Sequence, residues 1–218
     1  MRREWFLRWS FFVFGLMILA FGISLTIKGK QLGIGPWDVF HYGLFLKLGL
    51  SIGSWSIISG CLLLLISSLI KKEWPKIGAL LNMVFLGLFI DFFNWLLPTV
   101  DSLIGQSIVY LFGVIFLGFG IGLYVSADLG AGPRDNFMLL IVEKTGWRIP
   151  WVRNGIEIII FLLGWLLGGP VGIGTLFIAF GLGPILGISI PQCKKLFYLC
   201  LKQETSTITN TSIRGIRD

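Results

Sequence analysis

Apolar and polar positions follow one another in long blocks, with apolar runs separated by short polar turns. A helix needs roughly 17 to 25 apolar residues to cross the hydrocarbon core of a bilayer. Six runs meet that length, over residues 7–27, 53–70, 77–97, 104–126, 152–169 and 172–190. The pattern therefore predicts an all-α membrane protein with six transmembrane helices and no soluble domain.

The composition agrees with a chain that is embedded in lipid. Apolar residues make up 55% of the 218 positions, charged residues make up 13%, and the mean hydropathy is +0.86. Soluble domains carry about 25% charged residues. The first apolar run follows a basic start, but it exceeds the usual signal-peptide length of about 7–15 residues and no small-residue cleavage site follows. We therefore expect a retained first helix.

One motif occurs twice in the chain. Residues 32–38 read LGIGPWD and residues 129–135 read LGAGPRD, 97 positions later. The apolar stretches 14–25 and 112–123 also resemble each other. Such self-similarity predicts a duplicated unit. The predicted organisation is a first membrane repeat over 1–98, a second over 99–192, and a polar cytoplasmic tail over 193–218 that we expect to be disordered.

A short segment follows each motif, over residues 36–49 and 133–146. Both carry charged side chains, and a charge at the centre of a lipid-facing helix costs about 2.5–3.5 kcal/mol. We therefore expect short helices that enter the membrane and return, or that lie at its surface, rather than additional spans. Each repeat then crosses three times, and an odd number of crossings inverts the second copy.

The distribution of basic residues tests this topology. With the N-terminus inside, 15 of the 18 Lys and Arg residues lie on the cytoplasmic side and 3 lie outside. Cytoplasmic loops of membrane proteins are enriched in Lys and Arg. The sequence thus predicts that both termini are cytoplasmic. The net charge of +7 is explained by this control of topology and by attraction to the anionic inner leaflet. We therefore expect no nucleic-acid partner.

The repeated motif has the features of a helix start. Proline fits the first helical position, which places Pro36 and Pro133 at N1 and the glycines before them at the N-caps. Asp38 and Asp135 then fall at N3, where a carboxylate can accept a hydrogen bond from the cap amide. Two such starts could enter from opposite faces and meet near the centre as a binding site. Alternatively, each aspartate only caps its own helix.

Two further polar residues lie in the apolar zone. His41 follows Asp38 by three positions and shares its helical face. Asp91 lies in the third crossing helix and could face His41 or Lys47; an intramembrane carboxylate is a functional candidate by default. A structural ion pair or an interfacial position explains Asp91 equally well. The predicted solute or ion site comprises Gly35, Pro36, Asp38, His41, Asp91, Gly132, Pro133 and Asp135.

Other classes of chemistry lack their motifs. The two glycine-rich motifs have no preceding strand, no third glycine and no following Gly-Lys-Ser/Thr, so the sequence does not support nucleotide binding. One histidine and three dispersed cysteines make a metal site improbable, and we expect no cofactor. The chain contains none of the usual signatures of a zinc protease or a serine hydrolase. We do not expect an enzyme.

The motif, continued as LGIGPWDVFHYGL, resembles the bacterial YczE/YyaS/YitT group of integral membrane proteins and is most similar to its YczE branch. The resemblance extends over residues 1–200. It implies a multi-pass protein of the bacterial plasma membrane and supplies no substrate or catalytic residue.

Two functions are compatible with these features. The first is a transporter or channel-like translocator of a small solute or ion, with its site between the two motifs. The alternative is a non-transporting accessory that regulates another membrane complex. The sequence leaves open a homo-oligomer or a protein partner.

Overall fold

The computed structural model describes residues 2–130 and 132–214, and the side chains of 4–130 and 132–201. These residues form α-helices joined by short turns, with a single 3-10 turn at Lys30–Leu32 and no strand. The helices are α1 (Arg2–Lys28), α2 (Pro36–Leu48), α3 (Ile52–Lys71), α4 (Ile77–Leu96), α5 (Leu103–Ser126), α6 (Pro133–Thr145), α7 (Ile149–Leu166) and α8 (Ile173–Arg214).

Six of these helices are long and apolar enough to cross a membrane: α1, α3, α4, α5, α7 and α8. This confirms the six predicted membrane helices. The other two, α2 and α6, have 13 residues each. At a rise of 1.5 Å per residue they extend about 20 Å, which is short of the roughly 30 Å hydrocarbon core.

The boundaries of the short helices recur at the spacing of the motif. Each begins at a proline, with Gly35 or Gly132 as the N-cap in an extended conformation, as the motif predicted. Each ends at a glycine with positive φ, 74° at Gly49 and 69° at Gly146. Glycine adopts this conformation without the strain that a Cβ atom would bring. The two turns therefore stop α2 and α6 after the same length.

The centre of the molecule is the crossing of α1 and α5, which run antiparallel along most of their length. Gly15 packs against the backbone of Tyr124, and Gly22 packs against Leu117. Close helix packing in lipid relies on such small residues because the surrounding acyl chains are as apolar as leucine. Buried side chains on both helices complete the core: Phe12, Leu16, Leu19, Ala20, Ile23, Tyr110, Val114 and Leu117.

The contacts of this crossing are reciprocal. Gly15 contacts Tyr124, while Gly113, which lies 98 positions after Gly15, contacts Thr26, which lies 98 positions before Tyr124. Gly120 likewise contacts Leu19. At a two-fold interface, whenever residue i contacts residue j, the counterpart of j contacts the counterpart of i. The contacts of α1 with α5 have this property.

The remaining helices pack around α1 and α5. Helix α4 lies on α1 and α8 lies on α5; α2 packs on α7 and α6 packs on α3. The two halves differ at one place, since α3 packs tightly on α4 whereas the described parts of α7 and α8 have no comparable contact.

The end of the chain differs from the prediction. Helix α8 continues to Arg214, and residues 193–201 belong to it, so the predicted disordered tail begins too early. Cys193 and Phe197 are buried, and the ring of Phe197 packs 5.1 Å from the ring of Phe11. These apolar contacts with α1 stabilise the helix over residues 193–201, which precede the polar stretch 202–218 that indicated disorder. The predicted tail residues 215–218 lie outside the described residues.

The central crossing leads to a stability prediction. A Cβ atom at Gly22 would lie 2.6 Å from the backbone nitrogen of Leu117, so Gly22→Ala forces α1 and α5 apart. Overpacking of this kind costs about 1–3 kcal/mol. We expect a lower melting temperature of the purified protein in detergent. The matched control is Gly155→Ala on α7, where no atom lies within 4 Å of the new methyl group; equal melting temperatures for the two variants would contradict the close crossing.

Candidate functional site

A cavity of about 610 Å³ lies between the starts of α2 and α6. Its lining includes four consecutive residues from each motif: Gly35, Pro36, Trp37, Asp38, Gly132, Pro133, Arg134 and Asp135. Helices α1, α3, α4, α5, α7 and α8 contribute the other walls. Six of the eight predicted site residues are therefore brought together around one space. His41 and Asp91 do not line it.

The local backbone explains how the motifs reach the cavity. Gly33 and Gly130 have φ values of 93° and 130°, so the chain turns sharply before each short helix. The first amides of α2 and α6 then lack partners within their own helices, and they form the positive ends of the two helix dipoles. Helix starts of this kind are ready-made sites for anionic groups.

Asp38 lies in this space without the capping contact that the motif predicted. Its side chain is 7% exposed, and it accepts no hydrogen bond from the described residues. Its Oδ2 lies 2.9 Å from the position that a Cβ atom at Gly35 would occupy, and the Gly35 N–H donates no hydrogen bond to it among the described residues. The expected hydrogen bond from the Gly35 N–H is therefore absent, and capping does not account for this carboxylate.

The second of the two variable positions in the motif supplies a contact that the sequence did not predict. Arg134 places its guanidinium 4.5 Å from the centre of the Trp37 ring. The two residues occupy equivalent places, each directly after the motif proline. Cation–π contacts of this kind contribute about 0.5–2 kcal/mol. The only signal in the sequence was that the two copies of the motif differ at this position.

Polar groups from three long helices complete the wall beside α6. Arg153 and Glu157 form an ion pair at 3.1 Å, and the hydroxyl of Tyr124 interacts with Asp135. Asn82 is 5% exposed, and its Nδ2 has no hydrogen-bond partner among the described residues. The Oδ1 of the same amide lies 3.2 Å from the Cβ position of Gly132. The start of α6 thus faces an amide group with an unused donor.

The start of α2 faces a different side chain. Ile178 of α8 lies against Gly35, with its Cγ2 at 3.5 Å from the Cβ position. Asn82 and Ile178 occupy corresponding places relative to the starts of α4 and α8, which lie at residues 77 and 173. The two halves therefore share a backbone arrangement but present different chemistry to the cavity.

His41 is fully buried next to the cavity rather than in its wall. Its Nε2 lies 2.8 Å from the hydroxyl of Ser59, and its ring packs near Trp37 and Phe40. Its Nδ1 has no partner among the described residues. The imidazole ring thus packs against Trp37 and is hydrogen-bonded to Ser59, and both of these residues line the cavity.

Asp91 is a capping residue at the start of α3. Its Oδ1 accepts a hydrogen bond of 2.8 Å from the Gly53 N–H, and its Oδ2 accepts one from the hydroxyl of Ser51. The prediction that Asp91 faces His41 or Lys47 is wrong, because the free amide of α3 is a nearer partner for the carboxylate. The sequence could not reveal this contact, which joins residues 38 positions apart.

The helices around the two halves of the cavity are packed differently. Gly53 of α3 packs on the backbone of Gly87 of α4, which seals the first half. In the second half no atom lies within 4 Å of a Cβ position at Gly183 of α8. The cavity is lined here by residues of both α7 and α8, among them Arg153, Asn154 and Leu182.

Comparison with known proteins identifies the family. The model of a family of unknown function, DUF6198, matches residues 6–191. The chain belongs to this family. No solved structure matches the chain.

Three relatives within curated proteins extend over most of the chain. The uncharacterized membrane protein YczE of Bacillus subtilis (strain 168) is 53% identical over 208 residues, covering 95% of this chain and 97% of the relative. An uncharacterized protein of Haemophilus influenzae (strain ATCC 51907 / DSM 11121 / KW20 / Rd) is 35% identical, covering 81% and 80%. YyaS of B. subtilis is 27% identical, covering 88% and 96%. The resemblance to the YczE and YyaS group is thereby confirmed, as is the assignment to a membrane.

The capping role of Asp91 predicts a loss of stability. Asp91→Ala removes the acceptor of the Gly53 amide and of the Ser51 hydroxyl, and leaving a buried donor unpaired costs about 1–3 kcal/mol. We expect a lower melting temperature in detergent. Asp101→Ala, at an exposed position before α5, is the control and should unfold like the unmodified protein. An unchanged melting temperature of Asp91→Ala would refute the capping role.

Proposed function

We propose that this multi-pass membrane protein is a transporter of a small solute or ion, whose binding site is the cavity between α2 and α6. The observation that carries the proposal is the meeting of the two motifs around one cavity, with Trp37 and Arg134 in contact across it. Polar and charged residues at membrane depth are costly, and in transporters they mark substrate and ion pathways.

In this proposal the protein consists of two repeats of opposite orientation, 1–98 and 99–192. The antiparallel, reciprocal contacts of α1 and α5 support it, because two copies of one unit that cross antiparallel through the bilayer have inverted topologies. With Arg134 and Arg153 left out because they line the cavity, 13 basic residues on one side against 3 on the other support cytoplasmic termini.

The short helices α2 and α6 are re-entrant in the proposed arrangement. Each is too short to cross the bilayer, yet residues 36–39 at the start of α2 are buried while residues 45–48 at its end are exposed. A surface helix would have one exposed face along its whole length. The decrease in burial from the start of α2 to its end supports a helix whose N-terminus points into the protein from one side of the membrane.

The difference between the two halves supports a transport cycle. Helices α3 and α4 pack together while α7 and α8 stand apart. In transporters with inverted repeats, exchanging the conformations of the two halves converts one accessible state into the other. We expect a second state in which α7 and α8 close and α3 separates from α4 at the contact of Gly53 with Gly87.

Access to the cavity from both faces tests this cycle without knowledge of the solute. In a background with Cys61, Cys193 and Cys200 replaced by serine, Met138→Cys places a thiol in the cavity wall. We expect a membrane-impermeant maleimide to label it both in right-side-out and in inverted vesicles, because the cavity alternates between faces. Trp147→Cys, in the exposed turn before α7, should react in inverted vesicles only.

Labelling of Met138→Cys from a single face would contradict alternating access. It would favour the alternative function of an accessory protein that does not transport.

Neutralisation of the motif aspartates tests transport itself. Asp38→Asn and Asp135→Asn should each abolish uptake of the transported solute by proteoliposomes, because each removes a charge from the cavity while keeping the shape of the side chain. Uptake is measured with a panel of radiolabelled amino acids, amines, organic acids and inorganic ions. Asp101→Asn serves as the control. Unchanged uptake in both motif variants, with normal amounts of folded protein, would reject the proposed site.

A further inference from the structure

We infer that the solute is a small zwitterion with an apolar side group, of the kind represented by an aliphatic amino acid. The inference rests on the proposed function, since it names the solute class for the same cavity. It follows from three features of the wall: an acceptor without a hydrogen-bond donor, donors without an acceptor, and an apolar surface beside them.

The acceptor is Asp38. Its carboxylate is 7% exposed, lines the cavity, and has no hydrogen bond and no ion pair within 4 Å among the described residues, although Arg134 is a charged neighbour. A buried carboxylate without donors loses the solvation of its charge, which costs several kcal/mol unless a partner replaces the water. An ammonium group of the solute would supply both the opposite charge and up to three N–H donors.

The unused donors lie around the start of α6. The Nδ2 of Asn82 is buried without a partner among the described residues, and it belongs to a side chain that lies against Gly132. Arg134 contacts the Trp37 ring and has Asp38 and Asp135 as charged neighbours, but neither carboxylate lies within 4 Å of it. Together with the first amides of α6, these groups form a positive site that suits a carboxylate.

The net charge of the wall agrees with a solute that carries both signs. Asp38, Asp135 and Glu157 face Arg134 and Arg153 around the cavity. Arg153 is paired with Glu157, which leaves Arg134 as the charged neighbour of both Asp38 and Asp135, with neither carboxylate within 4 Å of it. A purely anionic solute would add a negative charge beside two carboxylates that share one guanidinium, and a purely cationic one would leave the Asn82 amide without an acceptor.

Another part of the cavity wall is apolar. Helix α8 contributes Ile178, Leu182, Leu186 and Ile190, and α1 contributes Leu19 and Ile23. Small-molecule sites combine such apolar walls with a few convergent polar groups. The volume of about 610 Å³ accommodates an amino acid together with several water molecules. An aliphatic side chain of the solute would lie against α8.

Binding of radiolabelled L-leucine to the purified full-length protein in detergent tests the inference. We expect saturable binding that unlabelled leucine displaces. Three competitors each lack one part of the ligand: isopentylamine lacks the carboxylate, 4-methylpentanoate lacks the ammonium group, and glycine lacks the side chain. Each should compete at least about tenfold more weakly than leucine, because each leaves one set of groups in the wall unpaired.

Variants assign the two ends of the ligand. Asp38→Asn should weaken leucine binding by about tenfold or more, and Asn82→Ala should weaken it by a smaller factor, because a neutral hydrogen bond contributes less than a charged one. The control for Asn82→Ala is Asn94→Ala, which removes another buried amide of α4 that does not line the cavity. Asn94→Ala and Asp101→Asn should bind leucine like the unmodified protein.

The outcomes separate this inference from the proposed function. Competition by isopentylamine as strong as by leucine would replace the zwitterion by an organic cation and overturn the inference, and competition by 4-methylpentanoate alone would overturn it in favour of an anion. Absence of leucine binding while aspartate-dependent uptake of another solute occurs would reject the zwitterion and leave the transporter standing. Leucine binding that depends on Asp38, without any uptake, would support the inference and reject transport.

Discussion

The close antiparallel contact of α1 and α5 is the constraint on which the rest of the structure depends. In lipid the hydrophobic effect does not hold helices together, so association relies on van der Waals contact between backbones that approach closely. Gly15 and Gly22 on one helix, with Gly113 and Gly120 on the other, allow that approach. Because the contacts are reciprocal, the crossing also fixes the orientation of the two halves relative to each other.

A symmetric frame of this kind brings equivalent elements to one place. The segments after α1 and α5 both turn at a glycine and both begin a short helix with Gly-Pro, and the two starts lie on the same cavity. Side chains then differ where the backbones correspond: tryptophan against arginine after the proline, and Asn82 against Ile178 beside the caps. The repeated backbone arrangement encloses the cavity, and these side-chain differences make one part of its wall polar and another part apolar.

Local features of the fold could be predicted from the sequence, and contacts between distant residues could not. The starts of α2 and α6 follow from the backbone properties of glycine and proline, and the long helices follow from apolar length. The capping role of Asp91 depends on an amide 38 positions away, and the contact of Trp37 with Arg134 joins the two halves. Helix α8 extends beyond residue 193, where the disordered tail was expected to begin, and the sequence does not reveal the contact of Phe197 with α1.

The sidedness of two turns tests the inverted arrangement most directly. The turn between α3 and α4 contains Glu73, and the turn between α7 and α8 contains Val171. In a cysteine-free background, Glu73→Cys and Val171→Cys are each exposed to an impermeant thiol reagent in right-side-out and in inverted vesicles. The account predicts that the first is labelled only in inverted vesicles and the second only in right-side-out vesicles. Labelling of both thiols from one face would contradict the inverted repeat and the central cavity that it builds.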